Sequence, residues 1–276
     1  MSGHGWQLVV DWRALGAAER ELLIGELWCH SISGIEERDD DVVAGFATEA
    51  EAHAAASELG MPSTLVEVLD DAYLDEWRQF ARPWLVDKLF VRPSWVDAVP
   101  PQGRDSREII IDPQRAFGSG AHASTRLVLA LMQQLDLRTT SVLDLGCGSG
   151  VLSVAAAALG ATRIEAIDIE PDAVAATIGN ARRNGAEDRI HARVATIDAV
   201  ADVFDVVLAN VLPSVHRQIA VGVRRVARRH VIVAGMLDEH VADIESLYGA
   251  TRLVASRRDE GWSALTLQVD RTDGPS

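Results

Sequence analysis

Apolar residues recur along this chain with two periods, and the switches between them outline its elements. From Trp6 to Val10 polar and apolar positions alternate as in a half-buried strand, whereas Leu22, Leu23 and Leu27 form a helical stripe within Ala17 to Cys29. Ser31 to Glu37 and Val42 to Ala47 read as strands joined across Arg38-Asp39-Asp40-Asp41, an acidic run that is most simply a hairpin tip. Thr48 and Glu51 have capping-box spacing, in which each side chain accepts the other's orphan N–H, and they open an alanine-rich helix to Leu59. Gly60, Pro62 and Ser63 end that helix, and Thr64 to Leu69 returns to strand. The order βαββαβ is the split βαβ, ferredoxin-like pattern, a small α+β domain over residues 1–69.

A linker helix is predicted over residues 70–84, with Tyr73, Trp77 and Phe80 on one face as packing residues. Pro83, Pro93, Pro100 and Pro101 then punctuate a loop-rich segment around a strand at Leu89 to Arg92, and Glu108 to Ile111 is another short strand. A helix from Thr125 to Leu135 precedes a strand, glycine loop and helix over Ser141 to Leu159. Strands at Arg163 to Ile169 and Phe204 to Leu208 follow, then a helix from Val215 to Ala227, a strand at His230 to Ala234 and a helix from Asp238 to Leu247. Arg252 to Ser256 and Ser263 to Val269 finish as a hairpin around Asp259-Glu260-Gly261-Trp262. Alternating βα units closed by a hairpin predict an α/β, Rossmann-like fold over residues 85–270, its sheet mostly parallel with one antiparallel strand. Residues 271–276 are expected to be a disordered tail.

The candidate chemistry sits at the C-terminal ends of these strands, where open α/β sheets bind ligands. In Ser141 to Gly150 (SVLDLGCGSG) a strand runs into a loop with Gly146, Gly148 and Gly150, and a helix follows. Such a loop lets a ligand approach backbone N–H groups at a helix N-terminus, although it can also be a purely structural turn. Val151 stands where the dinucleotide fingerprint G-x-G-x-x-G would carry its third glycine. Cys147 reads as a small residue packed beneath the turn rather than a nucleophile. Asp168, near the end of the next strand, is placed to accept both ribose hydroxyls of a nucleoside; the alternative is a loop acid or cap for the helix that Pro171 opens. Asn210 faces the same crevice, where its amide either orients a nucleophile or bonds the turn before Pro213. His122 is either a general base or a loop-fixing hydrogen-bond partner, and Thr125 either caps its helix or touches the ligand.

The glycine loop, Asp168 and Asn210 together resemble the site of a class I S-adenosylmethionine-dependent methyltransferase. More narrowly, Asp112-Pro113-Gln114-Arg115-Ala116-Phe117-Gly118-Ser119-Gly120-Ala121-His122-Ala123-Ser124-Thr125 is similar to D-P-x-x-A-F-G-T-G-x-H-x-T-T of the PrmA family, which methylates protein eleven of the large ribosomal subunit. Electron-transfer-flavoprotein lysine methyltransferases carry a related stretch. The resemblance spans about Asp75 to Gln268 and includes Arg92-Pro93-Ser94-Trp95, Ala209-Asn210-Val211-Leu212 and Gly261-Trp262. It implies a seven-stranded sheet, S-adenosylmethionine as cofactor, and cofactor contacts from Thr125, Gly146, Asp168 and Asn210. Gly148 and Gly150 of the loop, and Phe117 and Gly118 of the longer motif, join them as candidate cofactor contacts, and no metal is expected. Ser119 and Ser124 replace two threonines and keep their hydroxyls, while Ala123 stands where proline is common.

Composition narrows the partner. The formal charge of −15 disfavours nucleic acid and favours a basic protein, as ribosomal proteins are. Arg224, Arg225, Arg228 and Arg229 run against that trend and read as a solvated helix face. No apolar run approaches the roughly 20 residues of a membrane span. The first residues lack the features of a signal peptide, and Cys29 and Cys147 form neither a disulfide framework nor a metal spacing. The expected compartment is the cytoplasm.

A sulfonium methyl is already activated, so the chain's task is to align an acceptor with it. A lysine acceptor, with an ordinary pKa of about 10.4, must first lose a proton; Asn210 and nearby carbonyls are the candidates to hold the neutral amine. The rivals are methylation of another protein or a small molecule, a NAD-dependent oxidoreductase, and a cofactor-binding regulator without turnover. The N-terminal domain, lacking a catalytic cluster, reads as the recognition domain, the alternative being a stabilising appendage.

Overall fold

The structure, a computed structural model, describes residues 4–28, 30, 32–69, 82–100, 105–112 and 122–269. Residues 70–81 of the predicted linker helix, the predicted tail, and Phe117 and Gly118 lie outside these residues. The last three residues of that helix prediction, 82–84, are not helical, since Arg82 and Pro83 are irregular and Trp84 already begins a strand. The described residues form two compact units, one up to Leu69 and one from Arg82 onward.

The first unit contains β1 (His4–Asp11), α1 (Ala17–Leu27), β2 (Ile32–Glu37), β3 (Asp41–Phe46), α2 (Glu49–Leu59) and β4 (Ser63–Leu69). Its sheet has the order β2-β3-β1-β4, every pair antiparallel. The alternation read in β1 is what buries it: Leu8 and Val10 join Leu23, Leu27, Val42, Ala44 and Phe46 in one core with Ala52 and Ala55 of α2. The capping box forms as predicted, Thr48 Oγ1 accepting from the Glu51 N–H at 3.3 Å and Glu51 Oε2 from the Thr48 N–H at 3.0 Å. Gly60 closes α2 at φ +61°, a left-handed conformation that suits glycine. The acidic run is shorter as a turn than predicted, because Asp41 already pairs with Asp11.

The second unit holds two sheets. Strands β5 (Trp84–Val86), β6 (Leu89–Pro93) and β7 (Arg107–Ile111) form a small one. The main sheet comprises β8 (Ser141–Leu145), β9 (Arg163–Asp168), β10 (Ile190–Val194), β11 (Phe204–Asn210), β12 (Ala227–Leu237), β13 (Thr251–Asp259) and β14 (Trp262–Val269). Its order is β10-β9-β8-β11-β12-β14-β13, parallel except for β14, which is antiparallel to both neighbours. Helices α3 (Ala123–Met132), α4 (Val151–Leu159), α5 (Pro171–Arg183), α6 (Pro213–Val226) and α7 (Val241–Leu247) accompany it. Alternation along each strand feeds two cores. Val142, Val206, Leu208 and Ile232 pack with α3 and α4, while Leu143, Val207, Val231 and Val233 pack with α6 and α7. Among the described residues no helix is long and apolar enough to cross a membrane.

The structure corrects several boundaries. Strands β5 and β10 go beyond the predicted elements; three residues are too few for a period, and β10 is an edge whose His191 and Arg193 dilute its apolar signal. Helix α6 starts at Pro213, because proline fits a first turn whose N–H is unpaired anyway. Strand β12 starts directly after α6, so Arg228 and Arg229 lie on a strand and the four arginines share no helix face. Arg225 donates to the carbonyls of Val200 and Ile197, and Arg224 to that of Gly249.

Candidate active site

Strand β8 delivers its glycine loop to the crevice beyond the sheet, and Gly146, Gly148 and Gly150 all have positive φ, at +70°, +51° and +78°. A Cβ on Gly146 would lie 2.8 Å from Val211 Cγ1, and one on Gly150 2.8 Å from Thr177 Oγ1. Both glycines are therefore required by the loop's own packing. The loop's N–H groups also differ from the expectation that they await a ligand. Gly146 and Cys147 both donate to the Ile167 carbonyl, at 2.9 and 3.1 Å, and Gly150 donates to the Cys147 carbonyl at 2.8 Å. Burial, then the neighbouring Asp144, pushes the Cys147 thiol up from its ordinary range, so it is no nucleophile.

Asp168, half-buried, ends β9 beside this loop. Its Oδ2 accepts the Gly148 N–H at 3.0 Å and its Oδ1 the Glu170 N–H at 3.1 Å. The structural role read for this acid is present, since it holds the loop and the entry to α5, and each oxygen keeps a lone pair for a further donor. Ile169 and Val194, 66% and 53% exposed, flank it, and Val194 is its register partner on β10. Two exposed apolar side chains beside a carboxylate suit a nucleoside, with a ribose for the acid and a base for the apolar pair.

Asn210 closes β11, and its Nδ2 donates to Thr125 Oγ1 at 3.3 Å. Thr125 is buried in the first turn of α3, and its predicted capping role is taken by His122, whose Nδ1 accepts the Ser124 N–H. A ring nitrogen at this position does the work that a hydroxyl was expected to do. His122 packs edge-on against Trp262 with ring centroids 4.6 Å apart. Burial, then the nearby Arg126, lowers its pKa, which favours the neutral cap. Arg126 ties α3 to the β13–β14 tip through Asp259 at 2.8 Å and Glu260 at 3.1 Å.

The turn after Asn210 is anchored by residues with no sequence signal of their own. Fully buried His216 has Nδ1 2.7 Å from the Tyr248 hydroxyl and Nε2 2.9 Å from the Ala234 carbonyl, which also accepts the Val211 N–H. Burial holds the His216 pKa down to about 4, so a neutral ring spans the two partners. Gly235 (φ +87°) is obligatory here, since a Cβ would lie 2.3 Å from the Val211 oxygen. Beneath the loop, Asp144 Oδ1 and Ser149 Oγ are buried without hydrogen-bond partners. The chemistry of these donors and acceptors fits a nucleoside cofactor with polar substituents. Among the described residues no cluster of His, Cys, Asp and Glu could hold a metal ion.

Strand order separates two kinds of α/β protein that share a glycine loop. A dinucleotide-binding sheet runs 3-2-1-4-5-6; here antiparallel β14 is wedged between β12 and β13, the arrangement of a class I methyltransferase, and the oxidoreductase reading falls. A crystal structure of ribosomal protein L11 methylase from Lactobacillus delbrueckii subsp. bulgaricus superposes with a TM-score of 0.62 at 27% identity, covering 67% of this chain and 96% of that one. The profile of the family described as ribosomal protein L11 methyltransferase (PrmA) matches residues 18–270, and the chain belongs to that family. Ribosomal protein L11 methyltransferase of Sorangium cellulosum is 35% identical over 253 residues, 82% of this chain and 80% of the relative. That of Vibrio parahaemolyticus is 32% identical over 221 residues, 76% and 74% of the two chains.

Proposed function

We propose that this chain is a cytoplasmic S-adenosylmethionine-dependent methyltransferase that N-methylates lysine, and also the N-terminal amine, of large-subunit ribosomal protein eleven. The observation that carries the chemistry is the Asn210 amide, held by Thr125 at the end of β11 in the same crevice as Asp168. With Nδ2 committed to Thr125, Asn210 Oδ1 has no hydrogen bond among the described residues and is the group that would accept an N–H of a neutral amine.

Bound S-adenosylmethionine supplies an activated methyl group. Asp168 would hold its ribose hydroxyls and Ile169 with Val194 its base, while Gly146, Gly148, Gly150 and Thr125 shape the rest of the site. Phe117 and Gly118 are assigned to the cofactor by the motif Asp112 to Thr125. No carboxylate follows Asn210, where the chain continues Val211-Leu212-Pro213, so solvent takes the amine's proton before alignment. Residues 1–69 are assigned to holding the substrate, 70–84 to a linker and 85–270 to catalysis. The net charge of −15 favours a basic protein over nucleic acid as partner.

Mass spectrometry tests the reading: protein eleven from cells lacking its own methyltransferase is incubated with S-adenosylmethionine and the intact enzyme or Asn210→Ala. Methyl additions are expected with the intact chain, and turnover at saturating cofactor should fall about a hundredfold in the variant, the range for losing a positioned polar group. Cofactor binding without any addition would move the acceptor to another molecule. Full turnover by Asn210→Ala would remove the orienting role.

A further inference from the structure

Helix α5 meets the glycine loop through polar residues on one buried stripe. Thr177 Oγ1 donates to the Gly148 carbonyl at 3.0 Å, and one turn later Asn180 Nδ2 donates to the Ser149 carbonyl at 2.8 Å. Two consecutive peptide planes of the loop are thereby pinned. All peptide bonds here are trans, so each carbonyl turned toward α5 sends the following N–H the opposite way. The Gly150 N–H is consumed inside the loop by the Cys147 carbonyl, whereas the Ser149 N–H points away from α5.

Asn180 does more than hold the loop. Its Nδ2 also donates to the Asp112 carbonyl at 2.8 Å, and its Oδ1 accepts the Asp112 N–H at 2.9 Å and Arg183 Nη1 at 2.8 Å. An amide offers two donor hydrogens and two acceptor lone pairs, and all four are used here in a side chain with 0% exposure. One residue thus joins Ser149 of the first motif to Asp112, which opens the second. We propose that Asn180 is a positioning residue of the cofactor site, fixing the glycine loop against the root of the Asp112 to Thr125 motif. The inference rests on the cofactor reading above, and it deepens that reading by naming what sets the loop's geometry.

Asn184 is the internal control. One turn further along, it makes the same kind of two-way contact with β7, Oδ1 accepting from the Ile110 N–H at 2.9 Å and Nδ2 donating to the Ile110 carbonyl at 2.7 Å. Its Nδ2 also donates to the Asn180 carbonyl at 2.8 Å, and among the described residues it has no bond to the glycine loop.

The experiment is calorimetric binding of S-adenosylmethionine to the full chain, with thermal melting and steady-state kinetics on the same samples. Asn180→Ala is expected to raise the cofactor Kd about tenfold or more, with kcat at saturating cofactor within about threefold, as for a lost positioning contact rather than lost chemistry. Asn184→Ala should lower Tm and leave Kd within about twofold, since its bonds go to β7 and to the helix's own backbone at Asn180. Asn180→Asp keeps the acceptor bonds and Arg183 but faces the Ser149 and Asp112 carbonyls with an oxygen. It should weaken binding as the alanine does, and it carries the test should Asn180→Ala not fold. Wild-type affinity in either folded Asn180 variant, or an equal loss of affinity in Asn184→Ala, overturns the proposal alone. Failure of the wild-type chain to bind the cofactor overturns the cofactor reading and this inference together.

Discussion

The two ends of the main sheet are built from the same residue types to opposite effect. At the N-terminal end, Asp205 Oδ2 accepts the Ser141 N–H at 2.9 Å and the Ser141 hydroxyl at 3.0 Å, and Ser141 Oγ accepts the Asp205 N–H in return. Arg228 and Arg229 lie 3.5 Å from its other oxygen. Both oxygens are committed, and the end is closed. At the C-terminal end, Asp168 also takes two backbone N–H groups but stays half-buried with lone pairs to spare, between exposed Ile169 and Val194. The enclosed acid serves structure alone, and the half-exposed one, with room for further donors, is the candidate for a site.

The sharpest way to break that contrast is to remove each acid in turn. Asp168→Ala should cost cofactor binding about a thousandfold, because two hydrogen bonds to a charged acceptor are each worth about 1.5–3 kcal/mol. The Gly148 and Glu170 N–H groups would lose their acceptor at a half-exposed position where water can replace it, so Tm should change only slightly. Titration calorimetry with S-adenosylmethionine checks this, and near-wild-type affinity would end the ribose assignment. Asp205→Ala should do the reverse. It removes the acceptor of the part-buried Ser141 N–H and hydroxyl, which costs about 2 kcal/mol of folding stability, the exposed arginines adding little, while the cofactor Kd stays within about twofold. Urea unfolding measures the first quantity and calorimetry the second; a binding defect matching that of Asp168→Ala would show the two ends are not independent. In Asp205, burial works to raise the pKa, but the Ser141 bonds and the two arginines outweigh it and leave it lowered. Its stabilisation is therefore present at neutral pH and is lost as pH falls through the lowered value.

What was legible in the sequence follows the same division. Strand ends are where open sheets bind ligands, so Gly146, Asp168 and Asn210 could be placed in one crevice from the alternation of strands and helices alone. The family motif then named the cofactor. The supporting residues were not legible, because a polar residue on an amphipathic helix reads as solvent-facing. Asn180 and His216 are both fully buried, and only their partners on distant strands reveal why. Thr125 misled for a related reason: hydroxyls and ring nitrogens both cap helices, and only coordinates show His122 in that place. The glycine loop was read correctly as a turn but too generously as a set of free donors, since hydrogen bonds from Gly146 and Cys147 to β9 leave no trace in spacing.

A third carboxylate sharpens the comparison with a smaller effect. Asp144 lies on β8 beneath the glycine loop, with Oδ2 accepting from the Ser153 hydroxyl at 2.6 Å and Oδ1 orphaned. Burial raises its pKa to about 6, against the Ser153 hydrogen bonds, which lower it. A carboxyl that holds its proton more tightly when folded stabilises the fold most at pH below its unfolded value of about 3.9, and that contribution is lost as pH rises through about 6. The loss by pH 7.5 should be about 2 kcal/mol, since each tenfold gain in proton affinity on folding is worth about 1.4 kcal/mol and the protein relaxes in part around the ion. Asp144→Asn removes the titration, so its stability curve between pH 4 and pH 7.5 should be flatter than that of the wild type by this amount. Urea midpoints across that range provide the measurement. Parallel curves would mean that Asp144 is ionised throughout and that its orphaned oxygen is solvated. A flattened curve would place a costly ionisation directly under the cofactor loop, at the strand end where Asp144 Oδ1 lacks a partner.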